Sequence, residues 1–191
     1  MVFSFNPRSF GPVCEALLDS DNAFDLGPGR PNQAAAERLR DLNEVALFSG
    51  QSIVDHDMAA CCISGLWLRH DFLDDSHTIS QDIHTTTGSY WHGIMHRREP
   101  DFSNAKYWFR RVGDHEIFPV LRDAARPIVI EANADNAFEF LATQAAWDAF
   151  AFVDLCEAAI RGQADEALCR KISRLEWQVL FEYCYRQAIG E

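Results

Sequence analysis

With 191 residues, of which 48% are hydrophobic and 24% charged, the chain has the size and composition of a single globular domain spanning residues 1–191. Its formal net charge of −12 at pH 7 argues against nucleic acid as a partner, because non-specific binding to nucleic acid depends mainly on cation–phosphate contacts. No segment approaches the roughly eighteen uninterrupted apolar residues of a transmembrane helix, and the N-terminus lacks a secretory pattern. We therefore expect a cytoplasmic protein with no membrane partner.

The first third of the chain is predicted to be helical, with one interruption. Gly11 and the proline after it begin a short helix that runs to about Ser20. The segment 21–33 contains two glycines and two prolines, which predict a loop. The apolar residues of the segment 34–48 then fall on one helical face and predict a second helix.

A third helix is predicted from Ser52 to about Asp74, with Ser52 as its cap and a carboxylate in its first turn. Residues 75–88 lose the helical period and are rich in serine, threonine and glycine. We therefore predict an ordered loop there, which carries His77 and His84.

The next segment is predicted to form a helix, a break and a second helix. Residues 89–98 continue a helical pattern, and Pro100 disfavours helical geometry at the residue before it. Asp101 or Ser103 can then cap a further helix that runs through Val112.

The remaining chain adds more helices and no clear strand. A short helix is predicted over residues 114–125, ended by Pro127, with residues 128–130 as loop. The segments 135–161 and 165–188 are both patterned as helices and predict an antiparallel pair. The predicted fold is all-α: a single-domain bundle of about six to eight helices.

The six cysteines show no Cys-x-x-Cys spacing, and several lie on the apolar faces of predicted helices. Small apolar residues occupy such positions in a helical core. We therefore predict buried, reduced thiols at Cys14, Cys61, Cys62, Cys156, Cys169 and Cys184.

Basic residues are concentrated between Trp91 and Arg111. Five of the chain's seventeen basic residues lie in this segment beside only two acidic ones, which gives it a formal charge of +3 in an otherwise acidic chain. Such a segment favours anions, and the planar guanidinium of arginine matches carboxylate and phosphate groups. We predict that it binds an anionic small molecule, and the predicted ligand-binding residues are Arg97, Arg98, Lys106, Tyr107, Arg110 and Arg111.

The neighbouring arginines cannot all face one ligand, because adjacent residues on a helix diverge by about 100°. An internal network of arginine, glutamate and aspartate side chains that ties two helices together is the alternative interpretation. Among the aromatic residues, Tyr107 lies on a polar side of its predicted helix, whereas Trp108 and Phe109 share a side with apolar residues. Tyr107 is therefore the predicted aromatic residue of the site, and the other two are assigned to the core.

His92 and His96 lie four residues apart, so both side chains project from one face of the predicted helix and could share a metal ion. Gly93 stands where a zincin-type protease has its glutamate base, which excludes that class. The alternative is that one or both of these histidines are hydrogen-bonded helix residues that bind no metal. The candidates for a third ligand are His70, Asp71, His77 and His84, and we choose His77.

The dipeptide His70-Asp71 is similar to the metal-binding pair of HD-type phosphohydrolases, which are also all-helical. The upstream His56 is only fourteen residues away, which is short for that arrangement. His70 also shares a helical face with apolar residues, so a buried, hydrogen-bonded histidine is the favoured interpretation.

The block HGIMHRREPDFSNAKYWFRRVG, together with LDDSHTISQDI upstream, resembles the hallmark of an uncharacterised family of small bacterial proteins. The resemblance covers roughly residues 66–121. It implies that this core motif is the working part of the protein, and it implies no substrate, cofactor or catalytic assignment.

These observations support two hypotheses. The first is a small helical enzyme that acts on an anionic small molecule, with His96, Glu99 and Asp71 as catalytic residues and a divalent metal ion on His77, His92 and His96. The second is a non-catalytic binding or protein-interaction module that uses the same basic residues. A rigid structural junction and a homo-oligomer are both left open.

Overall fold

The computed structural model describes residues 3–18 and 24–191, and every regular element within these ranges is helical. The all-α prediction is confirmed, but the predicted count of six to eight is too low, because the described residues contain eleven α-helices and two 3-10 helices, Pro7–Phe10 and Asn136–Phe138. The α-helices are α1 (Gly11–Leu18), α2 (Gln33–Arg40), α3 (Glu44–Leu47), α4 (His56–Arg69), α5 (Leu73–Ser80), α6 (Thr86–Arg98), α7 (Phe102–Val112), α8 (Phe118–Glu131), α9 (Glu139–Thr143), α10 (Ala149–Ile160) and α11 (Glu166–Ile189). The predicted end of the first helix at Ser20 lies outside the described residues, as do residues 21–23.

The predicted helix over residues 34–48 is divided into α2 and α3. Asn43 separates them, since its side chain accepts a hydrogen bond from the Ala46 amide at 3.0 Å and caps α3. A short polar side chain bonded to the backbone in this way competes with continuation of the preceding helix.

The predicted helix over residues 52–74 begins later, because Asp55 and not Ser52 is its cap, and it ends earlier. The predicted loop over residues 75–88 contains a helix. The side chain of Asp55 caps α4 by accepting from the Met58 amide at 3.0 Å. Helical geometry is interrupted after α4 at Asp71, whose φ is 64°. Aspartate tolerates this left-handed conformation better than most residues. The chain then re-enters a helix, α5, which carries His77.

The helix, break and helix predicted for residues 89–112 are present. The side chain of Thr85 caps α6, which begins at Thr86, three residues before the predicted start. Asp101 caps α7 by accepting from the Asn104 amide at 3.1 Å, as predicted. Every residue of α6 from Thr87 to Arg98 is buried, so α6 runs through the interior of the bundle. A Cβ at Gly93 would lie 3.1 Å from the Phe109 ring, so the absence of a side chain there lets α7 pack closely on α6.

The prediction that Pro127 ends a helix and that residues 128–130 form a loop is wrong. Pro127 lies inside α8, which continues to Glu131. A proline within a helix costs roughly 3 kcal/mol. The buried face formed by Leu121, Ala125 and Val129 runs past the proline, and its packing offsets that cost.

The predicted helix over residues 135–161 is divided into a 3-10 turn, α9 and α10, and Asp148 caps α10 by accepting from the Ala151 amide at 2.9 Å. The last predicted helix is confirmed as α11, which begins after the capping residue Asp165 and packs against α4, α8 and α10. Its buried residues join those of α4 and α6 in one apolar cluster.

All six cysteines are free and buried, as the sequence predicts. Among the described residues, no helix combines the length and apolar character needed to cross a bilayer.

His115, in the turn before α8, is a buried histidine that takes no part in the candidate site. Its Nε2 lies 3.1 Å from the hydroxyl of Thr87, and its Nδ1 accepts from the Ile117 amide at 3.3 Å. Burial lowers its pKa to about 4, although nearby Asp114 opposes the shift. The folded protein therefore holds this ring neutral.

We expect the stability of the protein to decrease as the pH falls from about 6.5 to about 4. The unfolded chain protonates this histidine near pH 6.5, whereas the folded chain does so only near pH 4, so the unfolded state binds more protons in this window. The contribution of His115 is at most about 3 kcal/mol over the window. Urea unfolding of the wild type and of His115→Gln across this range tests it, and parallel pH profiles for the two proteins would contradict it.

Candidate metal centre

Three histidines converge at the contact between α5 and α6. One ligand atom of each of His77, His92 and His96 lies within 4.8 Å of the others. His77 is half-buried, whereas His92 and His96 are only 2% and 7% exposed. The structure therefore brings together the three residues chosen from the sequence as metal ligands, with His77 contributed by the helix that the sequence did not predict.

The outer ring nitrogen of His92 is held by a hydroxyl relay. Its Nδ1 lies 3.0 Å from the Ser80 hydroxyl, and that hydroxyl donates to the backbone carbonyl of His77 at 3.3 Å. Since the serine proton is used on the carbonyl, we assign the proton of the imidazole to Nδ1, which donates to the serine oxygen. The lone pair of Nε2 is thereby left for another partner.

The outer ring nitrogen of His96 is held by a carboxylate. Its Nδ1 lies 3.0 Å from Oε2 of Glu99, so the same assignment places a proton on Nδ1 and a lone pair on Nε2. Histidines that ligate metals usually donate their other nitrogen to a carboxylate or carbonyl in this manner. The side-chain amide nitrogen of Asn104 lies 3.1 Å from Nε2 and occupies the position in which an ion would bind this nitrogen.

The surroundings keep the imidazoles of His92 and His96 neutral. Burial is the largest cause, and with the neighbouring His96 and His77 it lowers the pKa of His92 to about 3. Burial also lowers the pKa of His96, against the opposing influence of Glu99. Neutral imidazole is the form that binds metals, so an ion would not have to displace protons from these two rings near pH 7.

The cluster must contract to hold an ion. Two nitrogen ligands of a tetrahedral zinc ion lie about 3.3 Å apart, given zinc–nitrogen bonds of about 2.0 Å. Compared with the present limit of 4.8 Å, binding would draw the rings together by up to about 1.5 Å. His77 is the least buried of the three and has the most freedom to move.

One face of α7 covers the histidines. Asn104, Trp108 and Arg111 follow a helical spacing, and the ring of Trp108 lies 4.1 Å from that of His92, centre to centre. The guanidinium of Arg111 in turn lies 5.1 Å from the centre of the Trp108 ring. The assignment of Trp108 to the core was therefore wrong, and its spacing from Asn104 and Arg111 was the signal that could have placed it in the site.

Two of the predicted ligand-binding arginines are buried and bonded within the protein. Arg97 is 2% exposed, and both of its terminal nitrogens donate to Glu176 on α11. Arg98 is also 2% exposed and donates to the Gly27 carbonyl at 2.7 Å and to Asp71 at 2.5 Å. Neither can reach a ligand, so the internal network is the interpretation that fits these two residues.

The other predicted ligand-binding residues of α7 diverge. Lys106 pairs with Asp154 of α10, and the guanidinium of Arg110 lies 6.0 Å from the centre of the Phe150 ring on the same helix. The ring of Tyr107 is 48% exposed and packs edge-on against Trp108. Of the cations on α7, Arg111 is the one whose side chain contacts an aromatic residue of the histidine site.

Asp71 does not join the histidines. Its carboxylate accepts from Arg98 and, at 3.2 Å, from the backbone amide of Arg30, so it holds the chain before α2 against α6. A Cβ at Gly29 would lie 2.5 Å from this carboxylate, which shows how closely that segment approaches. The proposed catalytic role of Asp71 has no support in this arrangement.

His70 is a buried structural residue. Its Nε2 donates to the Leu17 carbonyl at 2.9 Å, and its Nδ1 lies 3.1 Å from the amide of Asn32. With both ring nitrogens bonded, the arrangement of an HD-type phosphohydrolase is not formed. His84 is exposed and lies outside the cluster.

The recess beside Glu99 is acidic. Its volume is about 590 Å³, and its charged lining consists of Asp71, Asp74, Asp75, Glu99 and Asp101. An anion would be repelled from this side. The α7 side, with Arg111, is the more favourable approach for an anionic ligand.

The chain matches no protein-family model, no curated protein and no solved structure. The resemblance of residues 66–121 to a family of small bacterial proteins therefore stays a prediction.

Proposed function

We propose that the protein is a metal-dependent enzyme that binds one divalent ion through His77, His92 and His96 and acts on an anionic small molecule. The observation that carries this proposal is the convergence of three imidazoles, two of which are buried and kept neutral. In both of these, a protein group holds Nδ1. Nε2 of His92 is left for an ion, and Nε2 of His96 becomes available when the Asn104 amide beside it moves aside. A cluster of histidines with only a structural role would not require both Nδ1 atoms to be held in this way.

Zinc is the ion that this donor set fits best. Three nitrogen ligands are typical of catalytic zinc sites, which keep a further position open for water or substrate, whereas structural zinc sites have four protein ligands. When bound, such an ion supplies a Lewis acid and lowers the pKa of a coordinated water. Copper and nickel also bind imidazole well, so they are the ions to compare with zinc.

Glu99 has a positioning role in this proposal. Its carboxylate fixes the orientation of the His96 ring and increases the basicity of Nε2. Asn104 lies beside the same nitrogen and would move when a ligand enters.

The alternative of a binding module that uses a broad basic surface is less favoured. Arg97 and Arg98 are buried in ion pairs, and Lys106 is paired with Asp154, so these three charges are not free to form a shared docking surface. A module of that kind would bind its acidic partner equally well with and without metal.

We expect Glu99→Ala to lower zinc affinity about 10-fold, since the loss of a group that orients a ligand typically costs 10- to 100-fold. Calorimetric titration with zinc at pH 7.5 measures the change. Asp75→Ala removes a carboxylate from the same recess without touching a histidine and serves as the control for the local negative potential. Equal effects of the two substitutions would show that charge alone, and not the hydrogen bond to His96, affects the ion.

Titration with cobalt(II) tests the proposal, because the visible spectrum of this ion reports its ligands and its open positions. We expect one ion per chain and a spectrum that changes when azide is added, as an exchangeable position requires. A protein that binds neither cobalt nor zinc would show that the proposed metal site does not exist. A bound ion whose spectrum ignores azide would indicate a closed structural site and overturn the enzymatic proposal.

A further inference from the structure

Arg111 differs from the other cations near the histidines in what its side chain contacts. Arg97, Arg98 and Lys106 are each engaged by a carboxylate, and Arg110 is directed toward Phe150. Within residues 3–18 and 24–191, Arg111 has no ion pair, and its side chain is exposed. Among the basic residues of the segment 91–111, Arg111 is therefore the one available to bind a ligand at this site.

Arg111 is held in place by stacking. Its guanidinium rests against the ring of Trp108, and that ring packs against His92. A guanidinium on the face of a tryptophan keeps its planar donors in a defined orientation while they remain exposed to solvent. The three side chains thus form a row, from the exposed cation across the indole to a proposed metal ligand.

We propose that Arg111 binds an oxyanion of the substrate, a carboxylate or phosphate, while a second group of the same molecule reaches the ion held by His77, His92 and His96. This inference rests on the proposed function. It specifies that the substrate is a small molecule with two polar ends whose middle part packs along the Trp108 ring.

Two features of the surroundings favour this orientation. The acidic recess beside Glu99 repels an anion from its side of the cluster. The fork of donors on arginine also matches the two oxygens of a carboxylate or phosphate. The oxyanion end therefore lies over α7, and the metal-binding end lies beside Asn104.

Paired hydroxamates test this inference on the cobalt-loaded protein. Acetohydroxamate carries only the metal-binding group, whereas the monohydroxamates of succinic, glutaric and adipic acid add a carboxylate at increasing distance. Binding is followed by the spectrum of the bound cobalt. We expect at least one of the dicarboxylate derivatives to bind about 10-fold more tightly than acetohydroxamate, the effect of one charge-assisted hydrogen-bonded pair.

The matched variants are Arg111→Gln and Arg110→Gln. Arg111→Gln is expected to abolish the preference for the carboxylated probe and to leave acetohydroxamate binding unchanged, while Arg110→Gln keeps the preference. Added salt should also reduce the preference, because Arg111 is exposed.

The possible failures are distinguishable. If acetohydroxamate does not alter the cobalt spectrum at all, the proposed function fails. If it binds but no carboxylated probe binds more tightly, or if the preference survives in Arg111→Gln, the inference about Arg111 is overturned and the metal site stands.

Discussion

Replacement of Glu176 with alanine is expected to lower the free energy of unfolding by about 3–5 kcal/mol, the usual result of removing one partner from a buried ion pair. Glu176 is completely buried on α11, where it accepts both terminal nitrogens of Arg97 and, at 3.1 Å, the hydroxyl of Tyr90. Burial lowers the pKa of Arg97, but Glu176 and the other neighbouring groups together raise it above its ordinary value, so the arginine stays charged. Without Glu176 that charge would be buried with no partner.

Urea unfolding followed by circular dichroism measures this effect, and Glu182→Ala is the matched control. Glu182 lies on the same helix and pairs with Arg186, whose side chain is 50% exposed. Such surface pairs contribute 0–1 kcal/mol. A Glu176→Ala protein no less stable than the control would show that the buried pair does not hold α6 and α11 together.

The double variant Arg97→Met, Glu176→Leu separates the charge from the packing. Replacement of both members of a buried pair by apolar residues is usually much better tolerated than removal of one. We therefore expect the double variant to be more stable than Glu176→Ala. Arg97 directly follows His96 in the chain, so its ion pair with Glu176 contributes to the fixed position of the helix that carries two of the candidate metal ligands.

His96→Ala is expected to lower zinc affinity on the order of 100-fold or more, because loss of a ligand should exceed the 10- to 100-fold cost of losing a group that only orients one. The variant should keep its helical content, since His96 lies at the last turn of α6 with a partly exposed partner, Glu99. A thermal melt with and without zinc gives the readout. At free zinc 100-fold above its Kd, the wild type should gain about 2.7 kcal/mol, and His96→Ala should gain almost nothing.

His84→Ala is the control for this experiment. His84 belongs to the same segment of the chain but is exposed and lies outside the cluster. It should show the zinc-dependent stabilisation of the wild type. If His96→Ala retained that stabilisation, or if His84→Ala lost it, the ion would be bound elsewhere.

The sequence predicts the parts of this site that depend on local geometry. The four-residue spacing of His92 and His96 places them on one face of any helix, and Asp101 is a strong cap for the helix that follows. All-α character follows in the same way from the repeated apolar period. These features need no knowledge of distant contacts.

The sequence does not predict the partners that lie far along the chain. Arg97 meets Glu176 79 residues later, and Arg98 meets the Gly27 carbonyl 71 residues earlier. Composition alone made both arginines look available for a ligand. Their burial depends on which helices pack against α6, and no local pattern specifies that.

The helix boundaries also differ from the predicted ones where side-chain caps or tertiary packing override the apolar period. The side-chain caps at Asn43 and Asp148 interrupt segments whose apolar period continues across them. Tertiary packing stabilises α8 although Pro127 lies within it. The most consequential miss is α5, where a run of serine and threonine was interpreted as a loop, although the buried Leu73, Ser76 and Ser80 form one helical face.

The zinc K-edge X-ray absorption spectrum of protein loaded with one equivalent of zinc identifies the atoms that bind the ion. We expect nitrogen scatterers at about 2.0–2.1 Å with the multiple-scattering pattern of three imidazoles, and no sulfur at about 2.3 Å. A spectrum with sulfur ligands, or one with oxygen ligands and no imidazole pattern, would contradict the assignment of His77, His92 and His96 as the metal site.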